Sequence, residues 1–358
     1  MTITTPNLKD AIAAAMPAVG KPRGIPVLSC FHLSSQGKQL AITGNNLDQR
    51  IVAITDCDGQ IEPVCVSARN LETLANISNG TVNLSHVKGR VKFESGTTRA
   101  DLPAILGEEF PSSKGLEKLK PQGVNCQDLA KAIKAVAWTT SDVEAEHILR
   151  GVYIEGTPKT LTAMASNRRR IAHYSLPSVS ASFDALIPGK VCTGLVQALG
   201  QDGAVFAISE NHAAVQHEHG EFSCSLSEGV FPSKPITGMI ELKPVMIGQV
   251  QRGALLSAME AVMKLSTEDM DVVVLFEFTP TQLQLDFKNK DSEGLSMSIP
   301  GKFEPLKVEV NARSFLPCLE QLETELLPIE FNKDINSLRI VSGNLTIIMT
   351  TMAQAKKK

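Results

Sequence analysis

Three unlike landmarks recur along this chain in step, so it must fold as three copies of one unit placed in tandem. A helical stripe reads Leu8, Ile12, Ala15, then Leu129, Ile133, Val136, then Leu255, Met259, Val262. A strand ending in asparagine runs from Leu40 to Asn46, Leu161 to Asn167 and Leu283 to Asn289. A basic residue opens a later helix at Arg69, Lys190 and Arg313. The steps between copies are 121 and 126 residues for the first landmark, 121 and 122 for the second, 121 and 123 for the third.

At 358 residues the chain holds two or three domains of ordinary size, and the repeat selects three. The expected divisions are 1–118, 119–240 and 241–358, each long enough to bury its own core. Each reads as helix, strands, helix, strands: an α+β unit with two helices on one side of an antiparallel sheet. The expected helices are 7–19, 68–77, 127–139, 190–199, 252–265 and 314–322. Pro317 is compatible with the last only if that helix starts late and leaves proline in its first turn. Asn125 with Asp128 forms a capping-box-like start to the third helix.

Composition is that of a folded soluble protein, 43% hydrophobic and 20% charged. Seven scattered cysteines with no Cys-x-x-Cys pair argue against a disulfide framework or a zinc site, and point to a reducing cytoplasm. No basic leader and no apolar run of membrane length are read. The net charge of -3 does not advertise a nucleic-acid partner, although a basic lining can coexist with an acidic exterior.

A cation at a helix start opposes the macrodipole, so Arg69, Lys190 and Arg313 are poor local stabilisers. They are either solvated surface charges or a footprint for one polyanion, which Lys9, Lys131, Lys134 and Arg252 on the first helices would extend. Arg168-Arg169-Arg170 stands where the other copies have Leu47-Asp48-Gln49 and Lys290-Asp291-Ser292. It is a solvated turn or a place where one copy acts alone. His217-Glu218-His219 puts two imidazoles on one face of a strand, but no further ligands or outer partners are read, so neither metal nor cofactor is expected. No catalytic spacing or phosphate loop is present, and no enzyme activity is expected. The lysine-ended tail, 353–358, reads as a frayed end or a weak electrostatic contact with DNA.

Leu149-Arg150-Gly151 before a strand, Ala165-Ser166-Asn167-Arg168-Arg169-Arg170-Ile171-Ala172 after one, and the closing pairs Phe110-Pro111 and Phe231-Pro232 resemble the bacterial DNA polymerase processivity factor family, the beta sliding clamps. The resemblance covers essentially the whole chain. It implies a head-to-tail ring of two chains around duplex DNA, contacted without regard to sequence through Lys9, Lys21, Arg23, Arg69, Lys131, Lys134, Lys190, Arg252 and Arg313. Six domains, each roughly 35 Å wide, would leave a hole on the order of 30 Å across, enough for a duplex with water around it. The resemblance further implies a pocket for short linear peptides of a polymerase or clamp loader. Its residues would be Leu149, Ser166, Arg168, Arg169, Arg170, Ile171, Pro232, Met270, Asn311, Ile335, Ser337, Ile347, Ile348 and Met349. The implied chain-to-chain contacts fall on Ala100 and Leu102 in the first copy and Lys264 and Leu265 in the third, with Glu108 or Glu109 available to the lysine.

The chain departs from the family pattern where Asn167-Arg168-Arg169 replaces Asp-Gly-His, near Ile236 where an arginine is expected, at Ser314 where an aromatic is expected, and in the ending Met349-Thr350-Thr351-Met352. A clamp with an altered peptide preference follows. The competing expectation is a clamp-fold scaffold or decoy that binds such peptides without encircling DNA.

Overall fold

The computed structural model describes residues 1–21, 24–111, 118–177, 181–266, 272–288 and 294–352. The first repeat gives β1 (Thr2–Thr4), α1 (Thr5–Ala15), β2 (Cys30–Gln36), β3 (Gln39–Asn45), β4 (Gln49–Asp56), β5 (Val64–Ser67), α2 (Ala68–Ile77), β6 (Thr81–Val87), β7 (Arg90–Ser95) and β8 (Thr98–Leu106). The second gives β9 (Lys120–Pro121), α3 (Cys126–Ala137), β10 (Gly151–Gly156), β11 (Thr160–Ser166), β12 (Arg170–Pro177), β13 (Phe183–Pro188), α4 (Cys192–Leu199), β14 (Val205–Ile208), β15 (His212–His217) and β16 (Gly220–Ser225). The third follows as α5 (Ser233–Glu241), β17 (Met246–Gln251), α6 (Arg252–Leu265), β18 (Val273–Phe278), β19 (Gln282–Lys288), β20 (Gly294–Lys302), β21 (Leu306–Asn311), α7 (Ala312–Glu320), β22 (Leu326–Asn332), β23 (Ser337–Ser342) and β24 (Leu345–Thr350).

These elements group into two compact units. One is Met1–Lys131 with Lys190–Ser227, the other Ala132–Gly189 with Glu228–Lys358. Each is built on an antiparallel sheet, twelve-stranded among the described residues. The first runs β1-β6-β7-β8-β5-β2-β3-β4-β16-β15-β14-β9 and the second β13-β10-β11-β12-β24-β23-β22-β17-β20-β19-β18-β21. The units therefore do not follow the repeats one for one. The first repeat shares a sheet with the second half of the second repeat, and the first half of the second repeat shares one with the third. Continuous pairing requires this, because the outermost strand of one half-repeat hydrogen-bonds the outermost strand of another. The two seams are β4 with β16 and β12 with β24.

In the first unit α1 lays Leu8, Ala11, Ile12 and Ala15 on the sheet, joined by Leu71 and Ala75 of α2 in a core with Phe31, Leu40, Ile42 and Phe93. Gly44 makes that contact possible, since a Cβ there would stand 2.5 Å from the Ala15 carbonyl oxygen. At the first seam Gly220 has φ +149°, and a side chain would drive into the Val52 carbonyl. Only glycine suits both demands.

Helix α1 begins at Thr5 and gives way to a 3₁₀ turn at Met16–Ala18, shortening the expected 7–19 segment. The Asn125 carbonyl side chain accepts the Asp128 backbone N–H at 3.0 Å, as the capping pattern predicts. Helix α7 corrects the expected late start: it begins at Ala312 and holds Pro317 in its interior. Asn311 caps it by accepting the Arg313 N–H at 3.0 Å. Phe315, Cys318 and Leu319 are buried and keep the helix in place although Pro317 donates nothing to the Arg313 carbonyl. Helix α5 has no counterpart in the sequence-based expectation.

Candidate functional site

The repeated asparagine proves to be a turn device. The Asn46 side-chain oxygen accepts the backbone N–H groups of Asp48 and Gln49 at 3.1 and 3.0 Å, and Asn167 accepts those of Arg169 and Arg170 at 3.3 and 3.0 Å. The second turn residue is left-handed in both, Leu47 at φ 72° and Arg168 at φ 67°. The carbonyl of the third, Asp48 or Arg169, then accepts an N–H from the end of the seam strand, Ser225 at 3.3 Å or Thr350 at 3.0 Å. Asparagine satisfies two N–H groups that a tight turn leaves unpaired, which explains its recurrence. The third copy, 289–292, lies outside the described residues.

On this common frame the two seams carry different chemistry. Gln49 donates to the Pro17 carbonyl at 2.8 Å. Arg170, 121 positions later, lies over the Trp138 ring at 5.2 Å and donates to the Ser314 carbonyl at 3.4 Å. Its charge opposes the burial that pushes the Cys318 thiol up to about 12. Arg170 thus braces the seam from within. Arg50 pairs with Glu221 across the first seam at 3.0 Å, whereas the matching position of the second is Ile171.

Beside each turn lies an apolar cluster with an aromatic stack, His32 on Phe110 at 5.2 Å and Tyr153 on Phe231 at 5.4 Å. The first cluster is small: Val27, Cys30 and Cys65, with Ile105 and Phe110. The second buries Met164, Leu186, Phe231 and Ile236, and Ile148, Leu149, Tyr153, Ile171 and Ile240 remain half-exposed around them. Those half-exposed side chains form an apolar lip.

The lip takes up Leu149 and Ile171 of the expected pocket, with Pro232 half-buried next to Phe231. Ile335, Ser337 and Ile348 line a separate crevice with Met239, Leu242, Pro244, Phe331 and Asn332. Ser337 is 1% exposed and its hydroxyl has no partner among the described residues. Helix α5 joins the two places, contributing Ile236 and Ile240 to the first and Met239 to the second. It is held by Arg339, whose guanidinium bonds the carbonyl of Ile240, that of Leu242 at 3.1 Å and the Glu330 carboxylate. Sequence reasoning missed this helix, though Ile236 and Ile240 have helical spacing and Pro235 suits a first turn.

Other expected pocket residues have different surroundings. Ser166 is buried and accepts the Arg168 N–H at 3.3 Å. Asn311 is a helix cap. Ile347 and Met349 are 1% and 2% exposed core residues of β24. Arg168 and Arg169 are exposed, Arg168 pairing through Nε with Glu146 at 2.8 Å. Met270 lies outside the described residues.

The expected basic surface is uneven. Arg69, Arg313, Lys21 and Lys134 are exposed, and Lys131 stands 3.8 Å from Asp128. Lys190 is in a 3₁₀ turn ahead of α4 and is paired with Asp48 at 2.7 Å. Arg252 gives Nε to the Leu319 carbonyl at 3.0 Å, and half-buried Lys9 reaches the Asn76 carbonyl at 3.5 Å. Arg23 and the lysine tail lie outside the described residues. Among the expected contact residues, Ala100 is half-buried, Lys264 and Leu265 are exposed, and Leu102 belongs to the first core.

His219 falls in the β15–β16 turn rather than on the strand and, with Glu218, Asp10 and Asp56, lines a hollow beside α1. Among the described residues no three His, Cys, Asp or Glu are grouped to hold a metal. No helix among them is long and apolar enough to cross a membrane.

Residues 123–233 match the family model of the DNA polymerase III beta subunit, central domain. The chain is 23% identical over 342 residues to the beta sliding clamp of Caulobacter vibrioides strain NA1000 / CB15N, and 22% over 339 residues to that of Pseudomonas putida, with 90% of both chains covered in each case. Its fold superimposes on the DNA polymerase III subunit beta of Pseudomonas aeruginosa with a TM-score of 0.89 at 18% identity, covering 98% of this chain and 99% of that one. For the Bacillus subtilis DNA polymerase sliding clamp the TM-score is 0.90 at 18% identity, with 99% of both covered. By sequence along nine-tenths of its length and by fold along nearly all of it, the chain is a divergent relative of the bacterial beta sliding clamps.

Proposed function

We propose that the protein is a DNA sliding clamp. It encircles duplex DNA and tethers a polymerase and its loader through short peptides, without catalysing a reaction itself. The observation that carries this reading is the apolar lip of Leu149, Ile171 and Ile240 around buried Phe231 and Ile236. Two leucine-sized side chains entering such a lip gain about 3–6 kcal/mol before ordering costs, which suits exchangeable binding rather than permanent assembly. A Pseudomonas aeruginosa sliding clamp 18% identical to this chain has been solved with griselimycin bound.

In this reading 1–118, 119–240 and 241–358 are three clamp domains, and two chains close a ring by repeating one heterologous contact. Strands suited to that contact are β8 over 98–103 and β20 over 294–300, each paired on one side only among the described residues. Ala100 lies on β8, and Lys264 and Leu265 end α6; Leu102 is committed to the core. DNA would be held by Arg69, Arg313, Lys21, Lys131 and Lys134 through phosphate contacts that carry no base information. The cytoplasm is the matching compartment.

The engagement of Lys190 by Asp48 and of Arg252 by Leu319 favours one second reading, a scaffold that binds the same peptides without encircling DNA. Synthesis on a primed circular template separates the two. The clamp lengthens the products made by its cognate polymerase and loader; peptide binding with no gain in length gives the scaffold.

A further inference from the structure

We propose that Arg168 is a specificity-determining residue of the second-seam cleft, and that the cleft selects peptides carrying an acidic side chain beside their apolar anchors. The inference rests on the reading of that cleft as a peptide site.

Arg168 occupies the left-handed position of its turn, at φ 67°, where a side chain is disfavoured. Glycine would relieve the turn, so the arginine is not there for the backbone. Its Nε is fixed by Glu146 Oε1 at 2.8 Å, and the other Glu146 oxygen accepts the Ser141 hydroxyl at 2.6 Å. The Glu146 side chain is 12% exposed, whereas that of Arg168 is 73% exposed. One edge of the guanidinium is therefore anchored to a half-buried carboxylate, leaving the Nη1–Nη2 edge as a pre-oriented fork for a second one.

Both ends of this ion pair belong to walls of the apolar cluster. Arg168 is three residues before Ile171, and Glu146 is on the 3₁₀ segment that carries Ile148 and Leu149. A peptide with apolar side chains on the lip thus passes within a residue or two of the fork. The surrounding segment carries Asp142, Glu144 and Glu146 against Arg150, Arg168, Arg169 and Arg170, so the turn itself is the cationic side. At the first seam the equivalent residues are Leu47 and Asp48, and this chemistry is absent there.

The test uses the intact protein and synthetic hexapeptides with paired leucines flanked by either Asp or Asn. The Asp peptide should bind about fivefold more tightly at low salt, with the margin shrinking as salt is raised. In Arg168→Gly, which keeps a residue suited to the turn, the margin should vanish while the Asn peptide binds as before; Arg168→Lys should retain part of it. Equal affinity of the two peptides for the unaltered protein overturns the proposal. So does a margin that survives in Arg168→Gly, or an Arg168→Gly defect confined to duplex DNA. If neither peptide binds, the peptide-site reading itself has failed.

Discussion

Asp48 and Arg169 occupy the same place in two turns of the same geometry, one at each seam, and almost everything the side chains do there differs. At the first seam Asp48 holds Lys190, Arg50 holds Glu221, and the apolar cluster closes over Cys30 and Cys65. At the second, Ile171 replaces the arginine, Met164 replaces Thr43, and α5 widens the cluster into a lip. Backbone geometry is shared where the half-repeats join, while the side chains differ between the two seams. A site can thus be found by asking where a repeat keeps its frame and loses its pairing.

The largest effect should come from breaking the first frame. Gly220→Ala forces both a disfavoured φ and a collision with the Val52 carbonyl, so it should destabilise the first unit by about 4 kcal/mol or more, read as a lowered denaturation midpoint. The matching register position of the second seam is Leu345, opposite Tyr174, so no such glycine dependence exists there. Next in size is an exchange of chemistry. Ile171→Arg, which imports the first seam's residue, should weaken peptide binding at least tenfold in calorimetry with little change in fold, because it places a charge on the lip.

The shared frame predicts equality. Asn46→Ala and Asn167→Ala each remove a side chain that satisfies two turn N–H groups, and each should cost about 1 kcal/mol in chemical denaturation. A cost at only one seam would break the equivalence.

The smallest effect is in pH. Burial, with the Arg50 charge added, holds His32 below its ordinary value of 6.5. Neutral in the folded chain, it binds a proton more readily once unfolded, so stability falls as pH drops through 6.5 toward the folded value. His173 in the second unit is likewise lowered by burial. Replacing His32 by the residue that stacks at the other seam, His32→Tyr, should flatten the acid loss of stability in part, as seen in denaturation midpoints at successive pH.

Much of this was legible in the sequence. Helices 68–77 and 252–265 fall where periodicity places them because each has one clear apolar face, and strand 205–208 does so as a short run that is apolar throughout. Helix α5 is hard to see in the sequence because it contains Pro235 and Gly238, residue types that disfavour helix interiors; the first is a first-turn residue and the second sits on an exposed face. Strand β16 was missed because its glycine and buried Ser223 serve a seam covered on both sides. Of the candidate site, resemblance named Leu149 and Ile171, which the structure packs on the second apolar cluster. The engagement of Lys190 and Arg252 was not legible, since their partners Asp48 and Leu319 are distant in sequence. Ile347 and Met349 are buried because β24 buries both of its faces over 347–349, whereas Leu102 lies on the core face of β8 between exposed Asp101 and Pro103.

The most direct test of the account is amide hydrogen exchange on the protein with and without an apolar hexapeptide, combined with the binding stoichiometry. The account predicts one peptide per chain, with new protection at 148–149, 170–172 and 233–241 and none at 27–33 or 104–110. Two peptides per chain, or protection at the first cluster instead of the second, would contradict it.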